Sequence, residues 1–333
     1  MKRQILMMAL LNFLAAPSHA TRAAANAPPL RLVQTIPLPA VQGRIDHLAV
    51  DVAGQRLFVA ALGNNTVEVI DLKKGQRVQS VAGFKEPQGI AYVAETNTVI
   101  VANGGDGVVT LLDGATLNPA KTIAFGDDAD NLRYDAARKR FYVGYGNGAL
   151  GVYDTAKGIR LKDVILDAHP ESFQLDVSSG RIFVNVASRA KVAVVDLNRS
   201  AVTATWPVNA GSANYPMALD TAHHRLFVAT RRPPHLVVFD AESGRTVATL
   251  EADGDADDLF YDGARQRVYG CFGAGSVMVY AQNDADHYTV VAKVPTAAGA
   301  RTGLFSADLR RLFVAVPRRA NPTAEIRVFD TGP

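Results

Sequence analysis

The chain has 333 residues, with 35 lysines and arginines against 32 aspartates and glutamates and a formal charge of +3. That balance gives no case for nucleic acid or an anionic membrane surface as a partner. The single cysteine, Cys271, excludes an intramolecular disulfide, a CxxCH haem site and a structural zinc cluster, and its apolar strand context reads as a buried, inert thiol.

Residues 1–20 read as a secretory leader, with Lys2 and Arg3 ahead of an apolar stretch over 5–16 and small residues around Ser18-His19-Ala20. The stretch is too short for a good membrane span. Cleavage near Ala20 would make the protein periplasmic or secreted, and losing two cations lowers the formal charge to +1. Residues 21–29, rich in Ala and Pro, read as a mobile tail, and 30–333 as one domain.

From residue 46 the chain repeats itself seven times. The segments HLAVD, QGIAY, NLRYD, SFQLD, PMALD, DLFYD and TGLFS end at Asp51, Tyr92, Asp135, Asp176, Asp220, Asp262 and Ser306, in steps of 41 to 44 residues. Each is followed by a turn, an apolar run such as RLFVA, and a second run ending near an aspartate, such as VEVID. Short β-branched and aromatic runs at this period predict an all-β, seven-bladed propeller of four-stranded blades. The seventh unit stops after its third strand, at Val328-Phe329-Asp330, while residues 30–39 (LRLVQTIPLP) match a fourth strand. The N-terminal strand is therefore expected to complete the last blade and close the ring without an open edge.

The repeats also serve as their own comparison. Asp-x-x-x-x-Arg pairs, as in Asp51/Arg56, Asp135/Arg140, Asp176/Arg181, Asp220/Arg225 and Asp262/Arg267, recur across the turn between first and second strands. They read as scaffold, like the turn-forming aspartates that end the third strands. VIVAN (99–103), IFVNV (182–186) and LFVAT (226–230) resemble the namesake motif of the YVTN repeat, and the resemblance runs from Leu30 onward. The chain is thus similar to secreted bacterial propellers of the YncE-like kind, a resemblance that implies the fold and says little about activity.

Polar residues that break the repeat are the site candidates. Five residues before each anchor stand Asp46, Pro87, Asp130, Glu171, Tyr215, Asp257 and Arg301, and one position later His47, Gln88, Asn131, Ser172, Pro216, Asp258 and Thr302. These positions should ring the mouth of the central channel. Asp128-Ala129-Asp130 in blade 3 matches Asp255-Ala256-Asp257 in blade 6, nearly opposite. Converging carboxylates need a counter-charge, and Asp46, Asp130, Glu171 and Asp257 are the candidate ligands for one divalent cation. Oxygen donors suit calcium, magnesium or manganese, while His47 and His169 leave zinc open. On the loops between second and third strands, Arg231, Arg232, Arg318 and Arg319 are expected to gather outside the acidic mouth, where they could hold an anionic ligand or an acidic protein.

No phosphate loop or G-x-S-x-G context is present. His223-His224 reads as surface, and Trp206 as packing on the outer face of a fourth strand. The expectation is a monomeric propeller that binds a small ligand or an envelope protein at its mouth without catalysis. One alternative is a metal-assisted hydrolase of a sugar lactone or small ester: Asp46, Asn131, Glu171 and Asp257 are similar in type and placement to the metal ligands of gluconolactonase-like propellers, where a metal polarises the carbonyl and a carboxylate activates water, and Arg301 could steady the developing charge. A second alternative is a protein-assembly scaffold.

Overall fold

The computed structural model describes residues 28–319 and 322–332. The leader-like segment 1–20 lies outside them, as does most of the 21–29 stretch. Among the described residues the chain forms seven antiparallel sheets, and no helix is long and apolar enough to cross a membrane. Blade 1 comprises strands Leu48–Asp51, Arg56–Ala61, Thr66–Asp71 and Gln76–Ala82, hereafter strands a, b, c and d. Blades 2 to 6 follow over 87–124, 132–165, 173–207, 217–251 and 256–295. Blade 7 takes its first three strands from 303–330 and its fourth, Arg31–Leu38, from the N-terminus. That strand pairs antiparallel with Ala324–Asp330 from Arg31↔Asp330 to Leu38↔Ala324, which is the closure expected from the sequence.

The a strands contact one another in an unbroken circle from blade 1 round to blade 7 and back, so they form the innermost layer. Apolar side chains on both faces of each blade bury themselves against the neighbouring blades. The core is accordingly divided into seven inter-blade clusters rather than one central mass. In six blades the c and d strands slip register by a bulge, as between Val69 and Ile70, which adds the twist that splays each blade outward. Blade 3 departs further: its d strand is broken into Ile159–Arg160 and Val164–Ile165.

The turn aspartates behave as scaffold. Asp51 accepts the Gly54 N–H at 2.8 Å and Asp135 the Arg138 N–H at 3.0 Å. The expected arginine partners hold in Asp51–Arg56 (2.8 Å) and Asp176–Arg181 (3.6 Å) but not elsewhere. Arg138 and Arg265 take Asp135 and Asp262 from within the turn, and Arg225 reaches Asp240 and Asp286. The turns place a nearer cation by the carboxylate, so the more distant arginine is free to cross to another segment. His223 is likewise occupied, Nδ1 lying 2.7 Å from Asp220. Trp206 is not an outer-face residue: it is buried between Phe183 of blade 4 and Phe239 of blade 5. Cys271 is buried as expected, and burial pushes its thiol well above the usual range.

Candidate functional site

Just before strand a, the backbone of several blades makes the same hook onto strand b. Asp46 N–H donates to the Ala60 carbonyl at 2.8 Å, Asp130 N–H to Gly144 at 2.8 Å, and Glu171 N–H to Asn185 at 2.9 Å. Equivalent hydrogen bonds fix equivalent side-chain directions, so residues five places before the anchors converge. Close approach helps: a Cβ on Gly89 would lie 2.1 Å from the Asp130 carbonyl oxygen, so only glycine lets blade 2 lie against this segment.

The result is a pocket of about 270 Å³ at the channel mouth. Its wall draws on every blade: Arg44, Asp46 and His47 from blade 1, Gln88 from blade 2, Asp128, Asp130 and Asn131 from blade 3, His169, Glu171 and Ser172 from blade 4, Tyr215 and Arg231 from blade 5, Asp257 from blade 6 and Arg301 from blade 7.

Charge is not evenly matched around this wall. On the blade 5 to 7 side, Asp257 is gripped twice, by Arg231 Nη2 at 2.7 Å and Arg301 Nε at 2.8 Å. Asp255 adds contacts to Arg301 at 2.9 Å and Arg231 at 3.4 Å. Arg231 also donates to the Ala256 carbonyl at 2.8 Å and lies 3.9 Å above the Tyr215 ring. Burial raises the Asp257 pKa to about 7 against the pull of both arginines.

On the blade 1 side Asp46, 3 % exposed, accepts from Arg44 at 2.9 Å. His47 stands between Asp46 (3.8 Å) and Asp258 (3.5 Å). Burial opposes charge on this imidazole, but the two carboxylates outweigh it and lift its pKa to about 10.

The blade 3 and 4 side is thinner in cations. His169 Nδ1–H donates to the Gly146 carbonyl at 2.6 Å, and its Nε2 stands 3.9 Å from Asp130 Oδ2. Burial lowers its pKa, yet Asp130, the Gly146 carbonyl, Asp128 and Glu171 together carry it to about 9. Glu171 has no ion pair among the described residues. Burial, with Asp130 next, pushes its carboxyl up to about 8. The side-chain oxygen Oδ1 of buried Asn131 has no hydrogen-bond partner among the described residues.

No protein-family model matches the chain. It is 24% identical over 290 residues to a Salmonella typhimurium protein named uncharacterized protein YncE, spanning 83% of this chain and 70% of that protein. The Salmonella typhi protein of the same name matches at 24% over 291 residues, with the same shares. The chain is a YncE-like β-propeller. Hydrazine synthase from Kuenenia stuttgartiensis superposes with a TM-score of 0.75 at 17% identity, over 86% of this chain and 97% of that one. A chain of the mitotic checkpoint complex superposes with a TM-score of 0.77 at 14% identity, over 99% of both chains. Both likenesses show the fold alone.

In this YncE-like propeller Asp46, His47, Asp130, Asn131, Glu171, Tyr215, Asp257, Arg231 and Arg301 share one pocket. Asp258 sits behind it, 6 % exposed, taking the Gly303 N–H at 2.9 Å. Arg231 is not outside the mouth with the other loop arginines, because strand b of blade 5 runs on through Arg231 and turns its guanidinium inward. Arg232 lines an adjoining cavity that shares His169, Glu171 and Tyr215, and Arg318 and Arg319 are exposed. The four candidate metal carboxylates do not act as one set: Asp46 and Asp257 carry their own cations, whereas Asp130 and Glu171 lie with His169. Arg44, Gln88 and Asp128 also belong to the wall. For Asp128 the signal was its match to Asp255, and for Gln88 its place beside the ring position.

Proposed function

We propose that this propeller binds a small, polar, donor-rich ligand at its channel mouth, in the periplasm or outside the cell, as a binding protein rather than an enzyme. The observation that carries this reading is the convergence of polar side chains from all seven blades on one pocket of about 270 Å³. That volume suits a metabolite-sized molecule, near the lower end of ordinary ligand sites. The pocket is two-sided. Hydroxyl or ammonium donors suit Asp130 and Glu171, and a carboxylate or phosphate suits Arg44, which is exposed at the rim.

A thermal-shift and calorimetry screen of polar metabolites against the chelator-treated full chain tests it. Binding that falls at least tenfold in Arg44→Gln or Ser172→Ala supports the reading; no stabilising compound, or hits indifferent to both variants, overturns it.

A protein partner is the second reading. It is favoured by the exposed Arg232, Arg318 and Arg319 on the mouth-side loops, which form no ion pair among the described residues.

A further inference from the structure

The blade 3 pair Asp128-Ala129-Asp130 and the blade 6 pair Asp255-Ala256-Asp257 are the same element used twice, and their surroundings differ in one decisive respect. In blade 6, Asp257 is neutralised by Arg301, five places before the blade 7 anchor, and by Arg231, eleven places after the blade 5 anchor. The same counts around blade 3 land on Glu171 and Asn103. One guanidinium is replaced by a carboxylate. The other is replaced by a buried amide that bonds within its own blade, Asn103 Nδ2 donating to the Val108 carbonyl at 2.7 Å. Where the ring elsewhere places two cations, here it places one imidazole and a further acid.

Three features of that spot match a metal centre. First, ligand atoms of Asp130, His169 and Glu171 lie within 4.8 Å of one another. Donors about 2.1 Å from a common tetrahedral ion would stand ~3.4 Å apart, so the 3.9 Å between His169 Nε2 and Asp130 Oδ2 is too wide for a hydrogen bond and close to the spacing of two ligands. Second, His169 Nδ1–H is committed to the Gly146 carbonyl at 2.6 Å. That contact fixes the ring and turns Nε2 toward the carboxylates, the arrangement by which second-shell carbonyls orient ligating histidines. Third, Asn131, 4 % exposed and in the same pocket wall, has a side-chain carbonyl oxygen with no partner among the described residues.

We propose that Asp130, His169 and Glu171, joined by Asn131 Oδ1, hold a divalent first-row transition-metal ion in place of the missing arginines. One imidazole with oxygen donors selects zinc or manganese over calcium and magnesium. The proposal rests on the mouth being a binding site and names one occupant of it. It needs neither Asp46 nor Asp257.

The test is equilibrium dialysis of the untagged, chelator-stripped full chain against Zn²⁺, Mn²⁺, Ca²⁺ or Mg²⁺, with metal content measured by mass spectrometry. One zinc or manganese per chain is expected, with at least tenfold weaker binding in His169→Gln and in Glu171→Gln. Cobalt substitution should give a d–d absorption band that His169→Gln alters. Glu171→Arg, which copies blade 7 into blade 4, should abolish binding while keeping or raising the melting temperature of the metal-free chain. The proposal is overturned by wild-type protein that binds no stoichiometric ion, by a preference for calcium or magnesium, or by affinity unchanged in His169→Gln and Glu171→Gln. Should metal binding fail while the metal-free screen still yields ligands sensitive to Arg44→Gln, this proposal falls and the mouth reading stands.

Discussion

Replacing Asp257 by alanine strands two guanidiniums against each other. Asp257 is 13% exposed and each arginine 18%, so solvent can compensate only in part. One charge-assisted hydrogen bond is lost, from Arg231 at 2.7 Å and contributing roughly 1.5–3 kcal/mol, together with the ion pair to Arg301 at 2.8 Å. Asp255 survives as partial counter-charge, at 2.9 Å from Arg301 and 3.4 Å from Arg231. It places the net loss near the bottom of the range for breaking a buried pair, about 3 kcal/mol. Urea unfolding of Asp257→Ala against wild type, followed by tryptophan fluorescence and circular dichroism, measures this. Asp284→Ala is the control: Asp284 is exposed, its partners are His287 and two backbone N–H groups of its own loop, and its loss should move the unfolding midpoint far less than Asp257→Ala does. Adding Arg301→Gln to Asp257→Ala should recover stability, because it removes one of the stranded charges. A loss below about 1 kcal/mol, or a double variant that is less stable than Asp257→Ala, refutes the reasoning.

Three further outcomes follow from other parts of the ring. His47 has a folded pKa of about 10 against an ordinary 6.5, raised by Asp258 and Asp46 against burial. A raised value means its stabilising effect is fully present below pH 6.5 and fades as pH climbs through 10, so the stability gap between wild type and His47→Gln should be widest at the acid end of that window and close at its alkaline end. A gap that grows with pH contradicts the assignment. At the closing blade, Ile36 is fully buried in the cluster between blades 7 and 1, and Ile36→Ala should cost about 2–4 kcal/mol. Removing residues 31–38 should yield a chain that self-associates by light scattering and is rescued by the missing peptide in trans, since strand Ala324–Asp330 would then present an unpaired edge. A monomeric, equally stable truncation would disprove the clasp.

The blade count and the shared closing blade were legible because both follow from backbone hydrogen bonding, which imposes a fixed period on apolar residues. The mouth positions were legible for the same reason: a repeated backbone hook points Asp46, Asp130 and Glu171 the same way. What the period does not encode is where a long side chain ends. Arg231 turns inward only because its strand is extended, and Arg225 leaves Asp220 only because His223 is nearer. Tryptophan at 206 gave no hint that its ring would wedge between two blades. The grouping of Asp130 with His169 rather than with Asp46 depends on the Gly146 carbonyl holding the imidazole, a contact between segments 23 residues apart.

The pairing of Arg31–Leu38 with Ala324–Asp330 joins residues almost three hundred positions apart. Blades 1 to 6 can form from local neighbours as the chain lengthens, but the mouth stays incomplete until the final hairpin meets a segment made first. Loop-closure entropy makes that encounter the late and slow event. Any ligand that touches Asp46 and Arg301 together therefore recognises only closed rings, and occupancy of the mouth would double as a certificate that the winding is done.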